Sequence, residues 1–415
     1  MARVLRRCRG AGAGRPPPVR TRPNPADPEP VRTRSRQPNG AFATPMSPAP
    51  TIPQAVIRPP ATARPWIVSP PFARLGPDPG RPARGRPVAA LPPLSSPPRT
   101  RMPRILTVTL NPALDQTTEV ARLVEGAKMR CAAPRLDPGG GGANVSRALA
   151  RFGRESLAFI AIGGALGRSY RDLAEAQGLA AHWHEVEAET RQSLAVHDRA
   201  GGGQYRFVLP GAPWDEAAWQ GALDALAGLM DRDDIVILSG SQPQGAPADF
   251  PRRLCALAAP RGARVVIDTS GPALFDAALP NTGAEVLRMD RHEGAELMGL
   301  PEIDLALAAA LARDLVDRGA ARIAIVTVGG DGAAAATPDG AWQVSPPRVE
   351  VVSSTGAGDS FVAGLCAQLA QGRPFEDALA FAMAAAADAV TTPATELCTL
   401  EGTTAMLPRI TRRRL

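Results

Sequence analysis

The stretch SSTGAGDSFVAG, residues 353–364, joins a short polar segment, three small residues and the start of a helical pattern. Gly356, Ala357 and Gly358 allow a ligand to approach their backbone amides closely. The dipole of the following helix adds positive potential at the same point, so the stretch predicts an anion-binding site at a helix N-terminus. We expect this helix to begin at Asp359.

Asp359 allows two interpretations. As an N-cap residue, it would accept a hydrogen bond from the amides of its own helix, a role for which Asp is generally favoured. As a general base, it would take a proton from a substrate hydroxyl while the amides stabilise charge on a transferring phosphoryl group. The stretch alone leaves both interpretations open.

Upstream of this stretch, short apolar runs rich in β-branched residues alternate with helical patterns. The runs are RILTVTL (104–110), LAFIAI (157–162), DIVILSG (234–240), RVVID (264–268) and IAIVTVGG (323–330). Such runs are typical of strands buried on both faces of a parallel sheet. The alternation predicts an α/β fold whose sheet is covered by helices on both sides, with ligands at the carboxyl ends of the strands.

A second glycine-rich run, DPGGGGANVSRAL, occupies residues 137–149. Its four glycines precede a helix that we expect to begin near Ala143, and Asn144 could both donate and accept hydrogen bonds there. A flexible turn into a helix is the alternative. The run contains no G-K-[ST] and does not match the G-x-G-x-x-G of a first strand–helix turn, so neither a Walker loop nor a nicotinamide site is favoured.

Two segments interrupt the alternation, near residues 112–135 and 190–210. The second contains a predicted hairpin around residues 200–203. We interpret both segments as edge strands of a small antiparallel sheet that forms a lid over a cleft.

Three polar side chains lie near or within these segments. Asp115 follows the first strand in TLNPALD and is either a ligand for sugar hydroxyls or a turn or cap residue. Arg191 lies in the second lid segment. Lys128, the only lysine of the chain, lies in the first, and its use among 46 arginines suggests a need for a compact ammonium group.

The composition divides the chain into a basic extension and an acidic body. Residues 1–100 hold 25 of the 44 prolines and have 17 Arg against three acidic residues, a net charge of +14. The whole chain carries +7, so the remainder carries −7. We expect residues 1–102 to be a disordered extension. It is either a transit peptide or nucleic-acid arm, or translated sequence upstream of a native start at Met102. The body is then one domain, residues 103–415.

Several classes of protein are disfavoured. No apolar run is long enough for a membrane span. The five cysteines are odd in number and widely spaced, which indicates reduced thiols and a cytoplasmic location. The four histidines suggest no metal cluster, and no G-x-S-x-G elbow supports a hydrolase. The few aromatic residues, 4% of the chain, argue against nucleic-acid binding by base stacking.

The G-G-G-G-x-N run followed about 215 residues later by T-G-A-G-D resembles the PfkB group of ribokinase-type sugar kinases. The similarity spans essentially residues 102–410, and TRQSLAVH, QYRFVLPGA and ILSGSQPQG are most similar to the minor 6-phosphofructokinase branch. The resemblance implies a ribokinase-like three-layer α/β sandwich with a mostly parallel central sheet and a small β-sheet lid, through which two copies dimerise.

The resemblance also implies a reaction: ATP-dependent phosphorylation of the C1 hydroxyl of fructose 6-phosphate. Asp359 would be the catalytic base, with Gly356, Ala357 and Gly358 as the anion hole. Arg191 would clamp the existing phosphate, which suits the forked geometry of a guanidinium. The implied sugar ligands are Asp115, Gly139, Gly140, Gly141, Gly142 and Asn144.

The implied ATP site departs from the group in one segment. TVGGDG, from Thr327 through Gly329 to Gly332, matches the nucleotide loop, and Lys128 would reach ATP from the partner subunit. The group usually has Lys-Pro-Asn-x-x-Glu where this chain has RMDRHE, residues 288–293. Arg288 keeps the positive charge. Asp290 and Glu293 keep oxygen ligands for hydrated Mg²⁺, although Asp290 adds a negative charge beside the triphosphate.

The monovalent-cation loop of the group is matched in part. Ser353, Thr355 and Ala389 fit a potassium site, whereas Thr392, Ala394 and Glu396 replace the more usual Asn, Gly and Arg. Potassium is therefore an optional cofactor in this interpretation, beside ATP and Mg²⁺.

Two kinds of alternative remain. The same chemistry could act on fructose 1-phosphate or tagatose 6-phosphate, because sequence spacing does not determine which hydroxyl faces the base. A non-catalytic sensor of sugar phosphates is the alternative of another class, suggested by the altered segment 288–293 and opposed by the intact TGAGD.

Overall fold

The computed structural model describes residues 102–393 and 396–415. The predicted extension, apart from Met102, and Ala394 of the potassium loop lie outside the described residues.

Strands and helices alternate along the described chain. The strands are β1 (Ile105–Thr109), β2 (Ala113–Val120), β3 (Arg135–Gly139), β4 (Leu157–Ile162), β5 (Ala181–Glu185), β6 (Arg191–Asp198), β7 (Gln204–Val208), β8 (Ile235–Ser239), β9 (Arg264–Asp268), β10 (Ala284–Asp290), β11 (Ala321–Thr327), β12 (Ala333–Thr337), β13 (Gly340–Ser345) and β14 (Thr411–Arg414). The helices are α1 (Gly141–Arg151), α2 (Gly164–Ala176), α3 (Glu216–Leu229), α4 (Phe250–Ala258), α5 (Pro272–Ala277), α6 (Arg291–Met298), α7 (Leu305–Asp317), α8 (Ala357–Ala370), α9 (Phe375–Ala389) and α10 (Leu400–Met406).

The central sheet has ten strands in the order β14-β13-β12-β11-β10-β9-β8-β1-β4-β5. The strands from β11 to β5 are mutually parallel, and β12, β13 and β14 extend the sheet in antiparallel pairs. Val108 of β1 lies opposite Phe159 of β4 on one side and Leu238 of β8 on the other. The predicted α/β fold with a mostly parallel sheet is confirmed.

Helices cover both faces of this sheet. Successive residues of one strand serve opposite layers: Val236 and Leu238 pack with residues of α3, α4 and α7, whereas Ile235 and Ile237 pack with α1, α8 and α9. All four of these side chains are buried. Burial of each such side chain contributes roughly 1.5–3 kcal/mol, so both layers of the three-layer sandwich stabilise the fold. No helix in the described residues is long and apolar enough to cross a bilayer.

The lid is a separate four-stranded sheet in the order β3-β2-β6-β7. The predicted hairpin is present, because β6 and β7 pair antiparallel across residues 199–203. The prediction of a purely antiparallel lid is wrong, because β2 and β6 run parallel over eight residue pairs. Strands far apart in sequence can pair in either direction, which turn residues alone do not reveal.

The parallel strands end at one edge of the central sheet. Their last residues include Thr109, Ser239, Asp268, Asp290 and Thr327. Polar groups from five strands are thereby brought to the edge where ligands bind in folds of this kind.

Candidate active site

The N-termini of α1 and α8 meet at this edge of the sheet. Nδ2 of Asn144, in the first turn of α1, donates a hydrogen bond of 2.9 Å to Oδ2 of Asp359, 215 residues further along the chain. The start of α1 packs closely on the end of β1, where a Cβ on Gly142 would come within 2.6 Å of Thr109 Oγ1. The two glycine-rich motifs therefore form one site.

Both helices begin earlier than predicted. The first helical residue of α1 is Gly141 rather than Ala143, and that of α8 is Ala357 rather than Asp359. Gly356 caps α8 with a φ of 81°, in the left-handed region that glycine adopts without strain. Because glycine has no side chain to cap the helix, the first amides of α8 are open to an anion. Asp359 is the third helical residue, and its interpretation as the N-cap is wrong.

The environment of Asp359 suits a general base. Burial raises the pKa of its carboxyl to about 7, and the nearby carboxylate of Asp268 adds to this effect. The hydrogen bond from Asn144 and the charge of Arg288 act in the opposite direction. Within the described part of the chain, nothing bonds to Oδ1, which leaves this oxygen for a substrate hydroxyl. A base with a pKa near neutrality exchanges protons efficiently at physiological pH.

Asp115 lies in β2 of the lid, so the interpretation as a turn or cap residue is wrong. Gly139 of β3 lies directly against it, because a Cβ on Gly139 would overlap Asp115 Oδ2. Burial raises the pKa of Asp115 to about 6, whereas the charges of Arg206 and Arg191 lower it. The side chain is thus a half-buried acid between two arginines, beside the glycine-rich loop.

Arg191, at the start of β6, lies at one side of Asp115. Its Nε donates a hydrogen bond of 3.2 Å to the carbonyl oxygen of Asn111, and no described residue accepts from its other guanidinium nitrogens. The side chain is half-buried. This placement is compatible with the expected role of Arg191 as a phosphate ligand.

Arg288, at the end of β10, is the centre of a buried polar cluster. It forms an ion pair of 2.9 Å with Asp268 and donates a hydrogen bond of 2.7 Å to Thr327 Oγ1. A Cβ on Gly358 would come within 3.2 Å of Arg288 Nη1, so the guanidinium lies at the start of α8. Asp268 also accepts a hydrogen bond from Ser239. The cluster connects the anion hole with the ends of four strands.

Asp290 and Glu293 form a capping box at the start of α6. Asp290 Oδ1 accepts from the amides of His292 and Glu293, and Glu293 Oε2 accepts from the amide of Asp290. Arg288–Asp290 are the last three residues of β10. No described residue donates a hydrogen bond to the second oxygen of either carboxylate. Burial raises the pKa of Glu293 to about 7. Carboxylate oxygens suit a hydrated Mg²⁺, so this donor set fits the ion.

The remaining predicted nucleotide ligands lie in the turn after β11 and in an exposed loop of the lid. The residues Gly329–Asp331 form a short 3₁₀ turn after β11, closed by Gly332, whose Cβ would collide with the Val344 carbonyl oxygen. Lys128 is exposed in the loop between β2 and β3.

The predicted potassium ligands come from two segments that touch. The amide of Ser353 donates 3.2 Å to the carbonyl oxygen of Val390, which directly follows Ala389. The carbonyl oxygen of Ala389 accepts two hydrogen bonds from Thr392, one from its amide and one from its hydroxyl. Because these bonds use both lone pairs of the carbonyl, a cation here would need Thr392 to move. Potassium binding stays a prediction.

Three side chains at or beside the site were missed by sequence reasoning. Asp268 ends a predicted strand and Ser239 another, a position that could have identified both as site residues. Arg206 lies within QYRFV, which has the appearance of an ordinary strand, and nothing in its local sequence marks it.

The family model that describes the pfkB family carbohydrate kinases matches residues 108–401 of this chain. The chain that matches this family over most of its length thus has a three-layer fold. It also has a glycine-rich start of α1 and an acidic residue, Asp359, in the first turn of α8. The protein belongs to the PfkB family of carbohydrate kinases.

Two relatives and one solved structure indicate the neighbours within this family. The chain is 34% identical over 302 residues to the ATP-dependent 6-phosphofructokinase isozyme 2 of Escherichia coli, covering 73% of this chain and 97% of the relative. It is 38% identical over 266 residues to the 1-phosphofructokinase of Xanthomonas campestris, covering 64% of this chain and 83% of the relative. The crystal structure of E. coli phosphofructokinase-2 in complex with potassium superimposes with a TM-score of 0.70 at 33% identity, over 74% of this chain and 99% of that one. The ribokinase-like fold is confirmed.

Proposed function

We propose that the protein transfers the γ-phosphoryl group of MgATP to the C1 hydroxyl of fructose 6-phosphate, yielding ADP and fructose 1,6-bisphosphate. The observation that carries this proposal is the hydrogen bond between Asn144 and Asp359, which brings the glycine-rich start of α1 against the carboxyl group at the start of α8. The similarity to the E. coli 6-phosphofructokinase supports the choice of sugar and of ATP.

The chemistry assigns one role to each group at the start of α8. Asp359 takes the proton of the acceptor hydroxyl, whose oxygen forms a bond to the γ-phosphorus as the bond from that phosphorus to the β–γ bridging oxygen breaks. The amides of Gly356, Ala357 and Gly358 stabilise the charge on the phosphoryl oxygens. Mg²⁺ bound through water near Asp290 and Glu293 would neutralise phosphate charge.

The lid and α1 hold the sugar in this proposal. Asp115 and Asn144 form hydrogen bonds with sugar hydroxyls, and the glycines of residues 139–142 let the ring approach the backbone. Arg191 binds the 6-phosphate in this proposal, because only its Nε is hydrogen-bonded within the described residues and its forked guanidinium suits a phosphate. Two copies would associate through the lid.

Replacing Asp359 with Asn tests the proposal. We expect kcat to fall by about 10²- to 10⁴-fold, the usual contribution of a general base, while calorimetry shows retained binding of fructose 6-phosphate. Asp377→Asn is the control, because Asp377 is an exposed acid of α9 that pairs with Arg412. Unchanged turnover in Asp359→Asn would exclude the residue from the mechanism.

The similarity to a 1-phosphofructokinase supports fructose 1-phosphate as a second candidate substrate. Tagatose 6-phosphate is a third. Steady-state assays with MgATP and each sugar phosphate, with and without potassium, separate these candidates by kcat/KM. A preference for fructose 1-phosphate would overturn the choice of sugar but keep the roles of Asp359 and the anion hole.

A further inference from the structure

Two arginines lie on the same face of the lid, on either side of Asp115. Arg191 is level with Ala113 of β2, two residues before Asp115. Arg206 of β7 is level with Ala195 of β6, which is level with Thr117, two residues after Asp115. Residues level with one another in paired strands share a face, so both arginines share the face of Asp115. Along the strand direction they are displaced from Asp115 by about 7 Å in opposite senses, Arg191 one strand across the lid and Arg206 two strands across.

Arg206 reaches the phosphoryl-transfer end of the site. Its Nη1 donates a hydrogen bond of 3.4 Å to Thr355 Oγ1, and Thr355 directly precedes the Gly356 cap of α8. One cleft, between the lid and the segment that precedes α8, is lined by Asp115, Ser193, Arg206 and Thr355. Arg191 instead contacts the carbonyl of Asn111, at the opposite side.

The charge of Arg206 also acts on the site, and its hydrogen bond to Thr355 is easily exchanged. The charges of Arg206 and Arg191 both lower the pKa of Asp115, so both cations act on this half-buried acid. The partner of Arg206, Thr355, is neutral, and the bond between them is long. A phosphoryl oxygen would therefore replace Thr355 readily, because charge-assisted bonds are about twice as strong as neutral ones.

We infer that Arg206 is a catalytic residue that binds the oxygens of the phosphoryl group during transfer, while Arg191 binds the phosphate already present on the sugar. This assignment rests on the proposed function. The lid thus supplies positive charge from above the γ-phosphorus, opposite the amides of α8. When the lid closes onto the sugar, the charge of Arg206 comes next to the transition state. When the lid is open, this charge is missing from the site, and transfer of the phosphoryl group to water is disfavoured.

Arg206→Gln tests the assignment, with Arg206→Lys as a second variant and Arg199→Gln as the control. Arg199 is an exposed arginine of the same hairpin that pairs with Glu119. We expect Arg206→Gln to lose about 10²- to 10³-fold in kcat, as when one donor to a developing charge is removed. We expect KM for the sugar phosphate, and its Kd by calorimetry without ATP, to stay unchanged. Arg206→Lys should recover part of kcat, because it keeps the charge without the fork.

The possible outcomes separate the two proposals. A raised KM for the sugar phosphate with retained kcat would assign Arg206 to the resident phosphate and overturn the inference, as would wild-type kinetics in both variants. Wild-type protein and Arg199→Gln without any turnover would overturn the proposed function and this inference with it. Thermal unfolding checks that the variants fold. If Arg206→Gln does not fold, the kcat of Arg206→Lys tests the inference: a reduced kcat supports it and a wild-type kcat overturns it.

Discussion

At the scale of single residues, the reactivity of Asp359 depends on neighbouring groups that shift its pKa in opposite directions. Burial and the carboxylate of Asp268 raise its pKa, and Asn144 and Arg288 lower it, with a balance at about 7. A carboxyl group with an ordinary pKa would be a weaker base, and one with a much higher pKa would be protonated in the cell. Asn144 thus affects both the position and the protonation of the base.

The pH dependence of kcat/KM tests this balance. Only deprotonated Asp359 acts as a base, so we expect kcat/KM for the sugar phosphate to rise with pH, with a midpoint near 7, and to level off above it. Asn144→Leu removes a hydrogen bond that lowers the pKa, so the midpoint should move to higher pH. Gln220→Leu, on the surface of α3, is the control. A midpoint that stays in place or falls in Asn144→Leu would contradict the balance.

The meeting of the two glycine-rich motifs in one site was predictable from the resemblance, but the contact made by Arg206 was not. Asp359 and Asn144 stand out in sequence because glycines surround them. Arg206 does not, because its role depends on the register of β7 with β6 and β2 and on the approach of the lid to Thr355. Such contacts are set by tertiary packing, which no short stretch encodes.

At the scale of elements, strands were easier to predict than helix starts. Continuous apolar runs identify strands buried on both faces, and all five predicted runs are strands of the central sheet. The starts of α1 and α8 were placed two residues too late because glycines were assigned to loops. In both helices, glycines form the cap or the first turn, where closeness to the sheet or a ligand outweighs their low helix propensity.

Glycine-to-alanine substitutions in two helices test this explanation. A Cβ on Gly141 would collide with Ser239 and come within 2.6 Å of the Gly240 amide, so Gly141→Ala should lower the free energy of unfolding by about 1–3 kcal/mol. Gly228 in α3 has nothing within 4 Å of the added Cβ, so Gly228→Ala should raise that free energy by about 0.5–1 kcal/mol. Urea unfolding measures both. Equal effects in the two variants would contradict the packing argument.

At the scale of the whole molecule, the family match and the site both fall within the described body. The match covers residues 108–401, and the site runs from Thr109 to Asp359. We therefore expect a chain that starts at Met102 to fold and to keep the kcat and both KM values of the full chain. Steady-state kinetics of the two forms, with the full chain as control, measures this. A large loss of kcat in the shorter chain would give residues 1–101 a part in catalysis.

The face of the lid away from Asp115 carries apolar side chains that a second copy would cover. Phe207 and Tyr205 of β7 are 50% and 49% exposed, and Leu136 of β3 is 39% exposed on the same face. Large exposed apolar side chains on one face of a sheet favour an interaction surface there. We expect the wild-type chain to sediment as a dimer and Phe207→Glu to sediment as a monomer at micromolar concentration, because the dimer would bury this charge. Leu279→Glu, at a residue 45% exposed outside the lid, should remain dimeric. A monomeric wild type, or a dimeric Phe207→Glu, would exclude association through this face.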